Sequence, residues 1–273
     1  MKGTFEELKI AVCIKQILDP EMPPSKFKID ATLNKVIPPE GIPPVISPFD
    51  AQAVEAAMRI KEKHGAEVVV VTVGEDRAVN SVKQALAMGA DEGILVRQPI
   101  EGYDSFVIAY ILSKAIEKIG DCDLVLCGRQ GADYDSGQVG SIIAENLRIP
   151  VITQAKSIDV DGDRLKVERV VPDGSEVFEV ILPALVTVSD EIGEARIPTA
   201  WLIICAAKKK IPAWTLEDLE IDMAQIEQTL PRLKLMKLFI PTRARDCQIV
   251  EGETASEAAK NLVVKLKESG IIK

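Results

Sequence analysis

The residues best suited to bind a charged ligand are concentrated in one segment, CGRQGADYDSGQVG, which runs from Cys127 to Gly140. It combines four glycines with an arginine, two glutamines, two aspartates and a serine. Glycines let backbone N–H groups approach a phosphate closely, and a following helix presents its positive N-terminus to the same anion. The segment therefore predicts a loop that binds a phosphate-bearing ligand.

This loop does not match either of two common phosphate-binding motifs. It lacks the G-K-[ST] ending of a Walker loop and the spacing G-x-G-x-x-G. Asp133 and Asp135 would repel a phosphate unless they face backbone amides, a ribose hydroxyl or a base. A glycine-rich turn shaped only by helix capping is the alternative interpretation of the same pattern.

Side chains for acid–base or metal chemistry are scarce in this chain. The single histidine, His64, precedes Gly65 at a predicted helix end, where a cationic ring complements the helix dipole. An odd number of cysteines without a C-x-x-C pair is typical of packing thiols in a reducing compartment. These cysteines are Cys13, Cys122, Cys127, Cys205 and Cys247. We therefore predict no catalytic residue and no metal site.

Composition excludes further classes of partner. The formal net charge of -9 disfavours general binding to nucleic acid, whose phosphates repel an acidic protein. No apolar run approaches the roughly 20 residues that a membrane-spanning helix requires. The acidic start, MKGTFEELKIAV, differs from a secretion signal. We expect a cytoplasmic protein without membrane insertion.

Alternating strand and helix patterns surround the loop. Short apolar runs predict strands at LKIAVCIKQ, AEVVVVTVG, EGILVR and DLVLC. Helices are predicted from Pro48 to His64, from Asp76 to Met88, from Asp104 to Ile119, and from the loop to Leu147. Such alternation implies a doubly wound, mostly parallel sheet, in which ligands bind beyond the carboxyl ends of the strands.

The rest of the chain departs from this alternation. Eight prolines between Pro20 and Pro48 predict a long irregular loop without regular elements. After Pro150, turn signals at DGD and PDG predict an antiparallel flank on the sheet. We divide the chain into a nucleotide-binding α/β domain at 1–190, a partner-recognition loop at 191–213 and a C-terminal arm at 214–273. The arm has too little apolar content for its own core, so we expect it to pack on a partner subunit.

Four stretches together resemble the β subunit of electron transfer flavoproteins. They are the opening strand with CIKQ, SPFDAQAVEAAMRIKE, LAMGADEGILV, and GRQGADYDSGQVG with its flanking strand and helix. Further on, VTVSDEIGEARIP and AAKKK resemble the partner-recognition segment of that family, although a run such as AAKKK is more often a solvated surface. The resemblance spans almost the whole chain.

The resemblance implies the non-catalytic half of a heterodimer. An α subunit would carry most contacts to an FAD that passes electrons from a flavin-containing dehydrogenase to another redox protein. The β subunit would hold a nucleotide of its own. The residues expected to bind it, from the strand ends and from the resemblance, are Cys13, Lys15, Ser47, Pro48, Phe49, Asp50, Val73, Gly74, Gly128, Arg129, Gln130, Gly131, Ala132, Asp133, Asp135, Ser136, Gly137, Gln138 and Val139.

The identity of the nucleotide depends on two loop positions. Members of the family that hold AMP tend to have asparagine and threonine where this chain has Gly137 and Val139. Electron-bifurcating members, which hold a second FAD that accepts hydride from NADH, tend to have a small residue and valine. The resemblance therefore favours FAD over AMP, with NADH as electron donor and ferredoxin or flavodoxin as an acceptor.

The partner-recognition segment departs from the family pattern. The resemblance places partner-binding residues at Glu194, Arg196, Ala200 and Trp201, with Ala200 where the family often has a leucine anchor. Trp201 would replace that anchor, because indoles are common among binding hot spots. The alternative is that Trp201 is an ordinary core residue.

Two further hypotheses remain open at the level of sequence. A universal-stress-type ATP-binding regulator is suggested by the spacing of glycines before Gly140 and Ser141, one residue short of that family's usual spacing. The long C-terminal extension of this chain disfavours this hypothesis. A structural subunit that binds no nucleotide is the other alternative.

Overall fold

The computed structural model describes residues 8–224, 226, 232–241 and 247–272. The acidic start of the chain up to residue 7 and several positions of the predicted C-terminal arm lie outside the described residues. The chain divides into two compact units, Met1–Lys237 and Leu238–Lys273. Among the described residues, no helix combines the length and the apolar content needed to cross a bilayer.

A nine-stranded sheet dominates the first unit. Its strands are β1 (Leu8–Cys13), β6 (Ala66–Gly74), β7 (Glu92–Arg97), β8 (Leu124–Gly128), β9 (Val151–Asp161), β10 (Arg164–Val171), β11 (Gly174–Ile181), β12 (Ala184–Val188) and β13 (Ala213–Trp214). They lie in the order β11-β10-β9-β12-β8-β1-β6-β7-β13. All neighbours from β9 to β13 in this order are parallel, and β9, β10 and β11 form an antiparallel flank. The predicted fold class, a mostly parallel α/β sheet with an antiparallel flank, is confirmed.

Helices cover both faces of the parallel part. They are α1 (Pro48–His64), α2 (Val79–Met88), α3 (Ser105–Ile119), α4 (Val139–Leu147) and α5 (Ala200–Lys208). Alternate residues of the strands divide between two cores: Val12 and Val70 pack with α1 and α2, whereas Ala11 and Val71 pack with α3 and α4. Burial on both faces explains why these strands are continuous apolar runs.

The helix ends follow the sequence signals closely. α1 has Pro48 in its first turn and ends at His64, with Gly65 in a positive-φ conformation at its C-cap. Asp104 caps α3, because its carboxylate accepts the amides of Phe106 and Val107. These residues set the start and the end of α1 and the start of α3.

The prediction of a long irregular loop from Pro20 to Pro48 is wrong in one respect. The segment contains a small antiparallel hairpin, β3 (Lys28–Asp30) with β4 (Lys35–Ile37), and a strand β5 (Val45–Ile46) that pairs with β2 (Gln16–Ile17). The prolines lie between these elements. Their restriction on regular structure therefore applies only to the connections.

The predicted recognition loop at 191–213 also contains regular structure. Helix α5 lies within it, with Thr199 as a capping residue, and Ala206 of α5 is buried in the core. The predicted boundary between 213 and 214 divides β13, whose two residues pair with β7. Leu216, Leu219 and Ile221 join the core as well, so this part of the predicted arm belongs to the first unit.

The second compact unit contains one described helix, α6 (Ala255–Glu268). Thr254 caps it by accepting the amide of Glu257. The expectation that the arm packs on a partner subunit stays a prediction.

Candidate functional site

The polar loop lies at the carboxyl edge of the sheet, where the strand order reverses. From β1 the chain proceeds through β6 and β7 on one side, and then crosses to β8 and β12 on the other. Cys13 is the register partner of Cys127, so β1 and β8 end side by side at this switch point. Ligands of doubly wound sheets bind in the crevice at such a point.

The loop between β8 and α4 is held by hydrogen bonds to its surroundings. The amide of Arg129 donates to the carbonyl of Val188 at 2.9 Å, and the amide of Ala132 donates to Oγ of Ser47 at 3.3 Å. Ser47 therefore does not cap its own helix with its side chain. It links the start of α1 to the loop instead.

Asp50 connects three elements at the switch point. It lies in the first turn of α1, its Oδ2 accepts the amide of Lys15 at 2.8 Å, and its Oδ1 accepts the amide of Gly128 at 3.0 Å. Burial raises the pKa of this carboxyl to about 7, against the opposing effect of the two amide donors. Asp50 thus joins the ends of β1 and β8 to the N-terminus of α1.

Gly128 is required by the close approach of α1. A Cβ at this position would lie 2.5 Å from Oδ1 of Asp50 and 2.7 Å from the backbone carbon of Phe49. Gly140, in the first turn of α4, has a similar role, because its Cβ would lie 2.6 Å from the methyl group of Thr187. Two of the four loop glycines therefore serve packing between elements.

Arg129 and Phe49 form one wall of the site. The guanidinium carbon of Arg129 lies 4.6 Å from the centre of the Phe49 ring. Its Nη1 is 2.9 Å from the carboxylate of Asp190, two residues beyond β12. Among the described residues its buried Nε has no hydrogen-bond partner.

Unpaired hydrogen-bonding groups collect at the start of α4. The first N–H groups of a helix have no carbonyl partner within it, and no side chain of Gln138 caps this end. Within the described part of the chain, Oε1 of Gln138 is buried without a partner. Buried polar atoms are rarely left unpaired, so these groups fit a polar ligand such as a nucleotide.

The two loop aspartates each have a partner within the site. Asp133 forms an ion pair with Lys15 at 2.7 Å, and Lys15 also lies 5.4 Å from the ring of Tyr134. Asp135 accepts a hydrogen bond from the side chain of Gln130 at 2.8 Å. Both carboxylates thus have partners within the site, which limits their repulsion of a phosphate.

The cysteines of the site are buried thiols. All five cysteines of the chain are described and free of disulfides. A hydrogen bond with Cys13, together with burial, holds the pKa of Cys127 well above its ordinary value. Within the described ranges, no group of three or more histidine, cysteine, aspartate or glutamate side chains converges to hold a metal ion.

Other expected site residues lie at the same edge with fewer connections. Oγ of Ser105 in α3 lies 3.3 Å from Oγ of Ser136. Val73 and Gly74 end β6, but no described hydrogen bond joins them to the loop. Sequence reasoning missed Asp190, although its position after the strand PALVTV placed it at this edge.

The predicted partner-binding residues separate into two groups. The Arg196 side chain donates to Glu55 at 2.6 Å and also pairs with Glu62, so it anchors the segment on α1. The backbone carbonyl of Glu194 accepts from Arg59 at 3.5 Å. Ala200 begins α5, and Trp201 beside it is 71% exposed. Trp201 is therefore not a core residue.

The fold and the loop define a doubly wound α/β protein with a polar site at the switch point. Residues 36–219 match the model of the electron transfer flavoprotein domain. The chain therefore belongs to the electron transfer flavoprotein family.

Three similar proteins cover the chain almost completely. The electron transfer flavoprotein subunit beta of Thermoanaerobacterium thermosaccharolyticum is 38% identical over 97% of this chain and 100% of its own. The caffeyl-CoA reductase-Etf complex subunit CarD of Acetobacterium woodii is 36% identical over 97% of this chain and 100% of its own. The acryloyl-CoA reductase electron transfer subunit gamma of Anaerotignum propionicum is 33% identical over the same shares. The chain is thus a β-type member of its family.

Proposed function

We propose that this chain is the β subunit of a heterodimeric electron transfer flavoprotein and binds a second FAD at the switch point. The observation that carries the proposal is the pair of buried, unpaired polar atoms in the loop between β8 and α4, Oε1 of Gln138 and Nε of Arg129. A nucleotide provides both hydrogen-bond donors and acceptors, and it can therefore satisfy both atoms.

The residues of the chain would divide the work of binding. The first amides of α4, together with Ser136 and Gly137, would hold phosphate oxygens. Arg129, stacked on Phe49, would place its positive charge beside the ligand while Asp190 fixes its orientation. A bound FAD would supply the redox chemistry, which is hydride acceptance from NADH followed by electron transfer to the next carrier.

Gly137 discriminates less between FAD and AMP than the sequence suggested. Its φ is +61°, and a Cβ there would meet only the carbonyl oxygen of Arg129, at 3.6 Å. The asparagine expected in AMP-type members also tolerates this left-handed conformation, so both residue types fit the same backbone. The preference for FAD rests on Val139, which has no hydroxyl, and on the likeness to a subunit of a reductase-Etf complex.

Purification with a co-expressed α subunit tests the proposal. Two flavins per heterodimer, measured by absorbance after acid release, are the expected result. One flavin together with AMP would mean that AMP, and not a second FAD, occupies this site, and the proposed electron-transfer role would stand. A complex that carries no nucleotide on this chain would overturn both versions, and a homodimer that binds ATP would favour a stress-type regulator.

We propose further that α5 docks on the flavin-containing dehydrogenase. Trp201, Ile203 and Ile204 are 71%, 52% and 51% exposed, and Ile197 before the helix is 92% exposed. Contiguous exposed apolar side chains of this kind mark protein interaction sites. The α subunit and an acceptor such as ferredoxin or flavodoxin complete the proposed partners, and a cytoplasmic location stays a prediction.

The docking proposal is tested with Trp201→Ala in the purified heterodimer. The expected result is a loss of about tenfold or more in the rate at which the dehydrogenase reduces the flavin, since hot-spot tryptophans contribute about 2 kcal/mol or more. Flavin content should not change. Phe178→Ala, which removes an exposed aromatic ring from the antiparallel flank, is the matched control. Equal rates in all three proteins would exclude α5 as the docking site.

A further inference from the structure

Asp50 has a different position from the other expected ligand-binding residues. Its two carboxylate oxygens are already occupied, one by the amide of Lys15 and the other by the amide of Gly128. Its side chain is buried, although it lies in the first turn of α1. A group with this geometry acts on a ligand through the backbone that it holds.

The two amides lie at the carboxyl ends of the two strands that flank the crevice. Lys15 follows β1, and Gly128 ends β8, from which the binding loop departs. Because each oxygen accepts one amide, the carboxylate fixes the spacing of these two backbone segments. Gly128 lacks a side chain, so the backbone of Phe49 and Asp50 approaches it directly.

We propose that Asp50 is a positioning residue of the nucleotide site, whose carboxylate form holds the loop after β8 in its binding conformation without contacting the ligand, and whose protonation weakens nucleotide binding. This inference rests on the proposed function, because it requires a nucleotide at this site.

The charge state of Asp50 is set by all the elements around it. Burial raises its pKa to about 7. Lys15, beyond β1, favours the carboxylate, whereas Asp133 in the loop disfavours it. The thiol of Cys127 also interacts with Asp50 and is hydrogen-bonded with the thiol of Cys13, and the high pKa of Cys127 keeps that thiol neutral. Asp50 therefore changes charge in a pH range where Cys127 does not.

Protonation removes the negative charge that strengthens both hydrogen bonds. Hydrogen bonds to an ionised acceptor are roughly twice as strong as those to a neutral one. An asparagine at this position reproduces the weakened state, because its amide nitrogen cannot accept a backbone N–H. Asp50→Asn is thus a mimic of the protonated form with almost the same shape.

Asp123 offers a matched control on the same two strands. It precedes β8 at the opposite, amino edge of the sheet, and its Oδ2 accepts the amide of Lys9 in β1 at 2.9 Å. Asp123→Asn weakens a carboxylate–amide link between β1 and β8 far from the loop, because it removes the negative charge and leaves one acceptor oxygen. It should leave nucleotide affinity unchanged.

The experiment is equilibrium dialysis of the heterodimer, formed by the full chain and its α subunit, against FAD and separately against AMP. Measurements at about pH 6, about pH 7 and about pH 8 span the titration of Asp50. Wild type should lose affinity several-fold towards the acid end. Asp50→Asn should bind about tenfold more weakly at the alkaline end, the loss expected when a buried donor loses its acceptor. Its difference from wild type should shrink as the pH falls.

Comparison between variants isolates the effect of Asp50 on binding, because any titration of the ligand itself is the same in each protein. An Asp50→Asn protein that binds as wild type does, or a wild-type affinity that is flat or rises on acidification relative to the variant, would overturn the inference. If that variant does not fold, the pH profile of FAD binding by wild type and Asp123→Asn decides, and a flat profile counts against the inference. A wild type that binds neither nucleotide would instead defeat the proposed function.

Discussion

The two parts of the single sheet have opposite environments. In β8 and β12, within the parallel part, every residue is buried, whereas β11 of the antiparallel flank is exposed along nearly its whole length. Strands buried on both faces have no free side chains along their length. Polar chemistry in the parallel part is therefore confined to the strand ends, where Asp50, Gly128 and Arg129 lie.

The flank has a different source of stability. β10 and β11 are joined by an unbroken antiparallel register, and the register between β9 and β10 shifts at Glu168 and Arg169. Leu165 and Val167 of β10 are buried in the core, whereas β11 contributes only the half-buried Val180. Substitutions of similar type should therefore have unequal effects in the two parts. Three pairs of variants test this difference.

The largest difference should appear for apolar side chains. Leu126→Ala in β8 removes a fully buried side chain and should lower the free energy of unfolding by about 2–5 kcal/mol. Ile181→Ala in β11 removes a side chain that is 61% exposed and should cost about 0.5 kcal/mol or less. Urea unfolding followed by circular dichroism measures both. Similar losses would show that the flank carries core packing comparable to that of β8.

Glycines provide the second pair. Gly128→Ala places a Cβ 2.7 Å from the backbone of Phe49, which must move, and should cost about 3 kcal/mol. Gly162→Ala, in the turn between β9 and β10, has open space around it and a φ of +60°, so it should cost about 1–2 kcal/mol from backbone conformation alone. Unfolding midpoints and nucleotide content distinguish them. Only Gly128→Ala should reduce bound nucleotide.

Carboxylates provide the third and smallest pair. Burial disfavours the charged form of Glu55 in α1. Hydrogen bonds from Arg196 and Arg59 nevertheless hold its pKa below the ordinary value of 4.5. Such a group stabilises the fold above its unfolded pKa, and that contribution is lost as the pH falls through the folded pKa. Glu55→Gln should cost about 1–3 kcal/mol near neutral pH, with the difference vanishing in acid.

Glu168 of the flank is the control for that measurement. It pairs with Lys156 at 3.0 Å on the exposed surface. Exposed ion pairs contribute little, so Glu168→Gln should change the unfolding midpoint much less than Glu55→Gln does at every pH. A pH-dependent effect of Glu168→Gln as large as that of Glu55→Gln would remove the distinction between the two parts.

The sequence predicts much of the parallel part because burial leaves a direct pattern. Strands covered on both faces are short apolar runs, and Pro48, Gly65 and Asp104 mark helix ends through their own backbone and side-chain chemistry. The position of the loop at the carboxyl edge follows from the same alternation. These features depend on local signals that a single sequence contains.

Other features depend on contacts between distant residues and could not be read from the sequence. An aspartate in the first turn of a helix ordinarily indicates favourable interaction with the dipole, so Asp50 gave no signal that it accepts amides from Lys15 and Gly128. The two-residue strand β13 is too short to leave a periodic pattern. The hairpin of β3 and β4 was hidden by the prolines around it.

Helix α5 is fixed at both of its ends. Before it, Arg196 is bound to Glu55 and Glu62 of α1, and after it, Nζ of Lys209 donates to the carbonyl of Asp91 at 2.8 Å. A protein that docks on Trp201 therefore meets a surface whose shape is already set. Little conformational entropy is left to lose on association, so even a small contact area can support a brief, repeatable encounter.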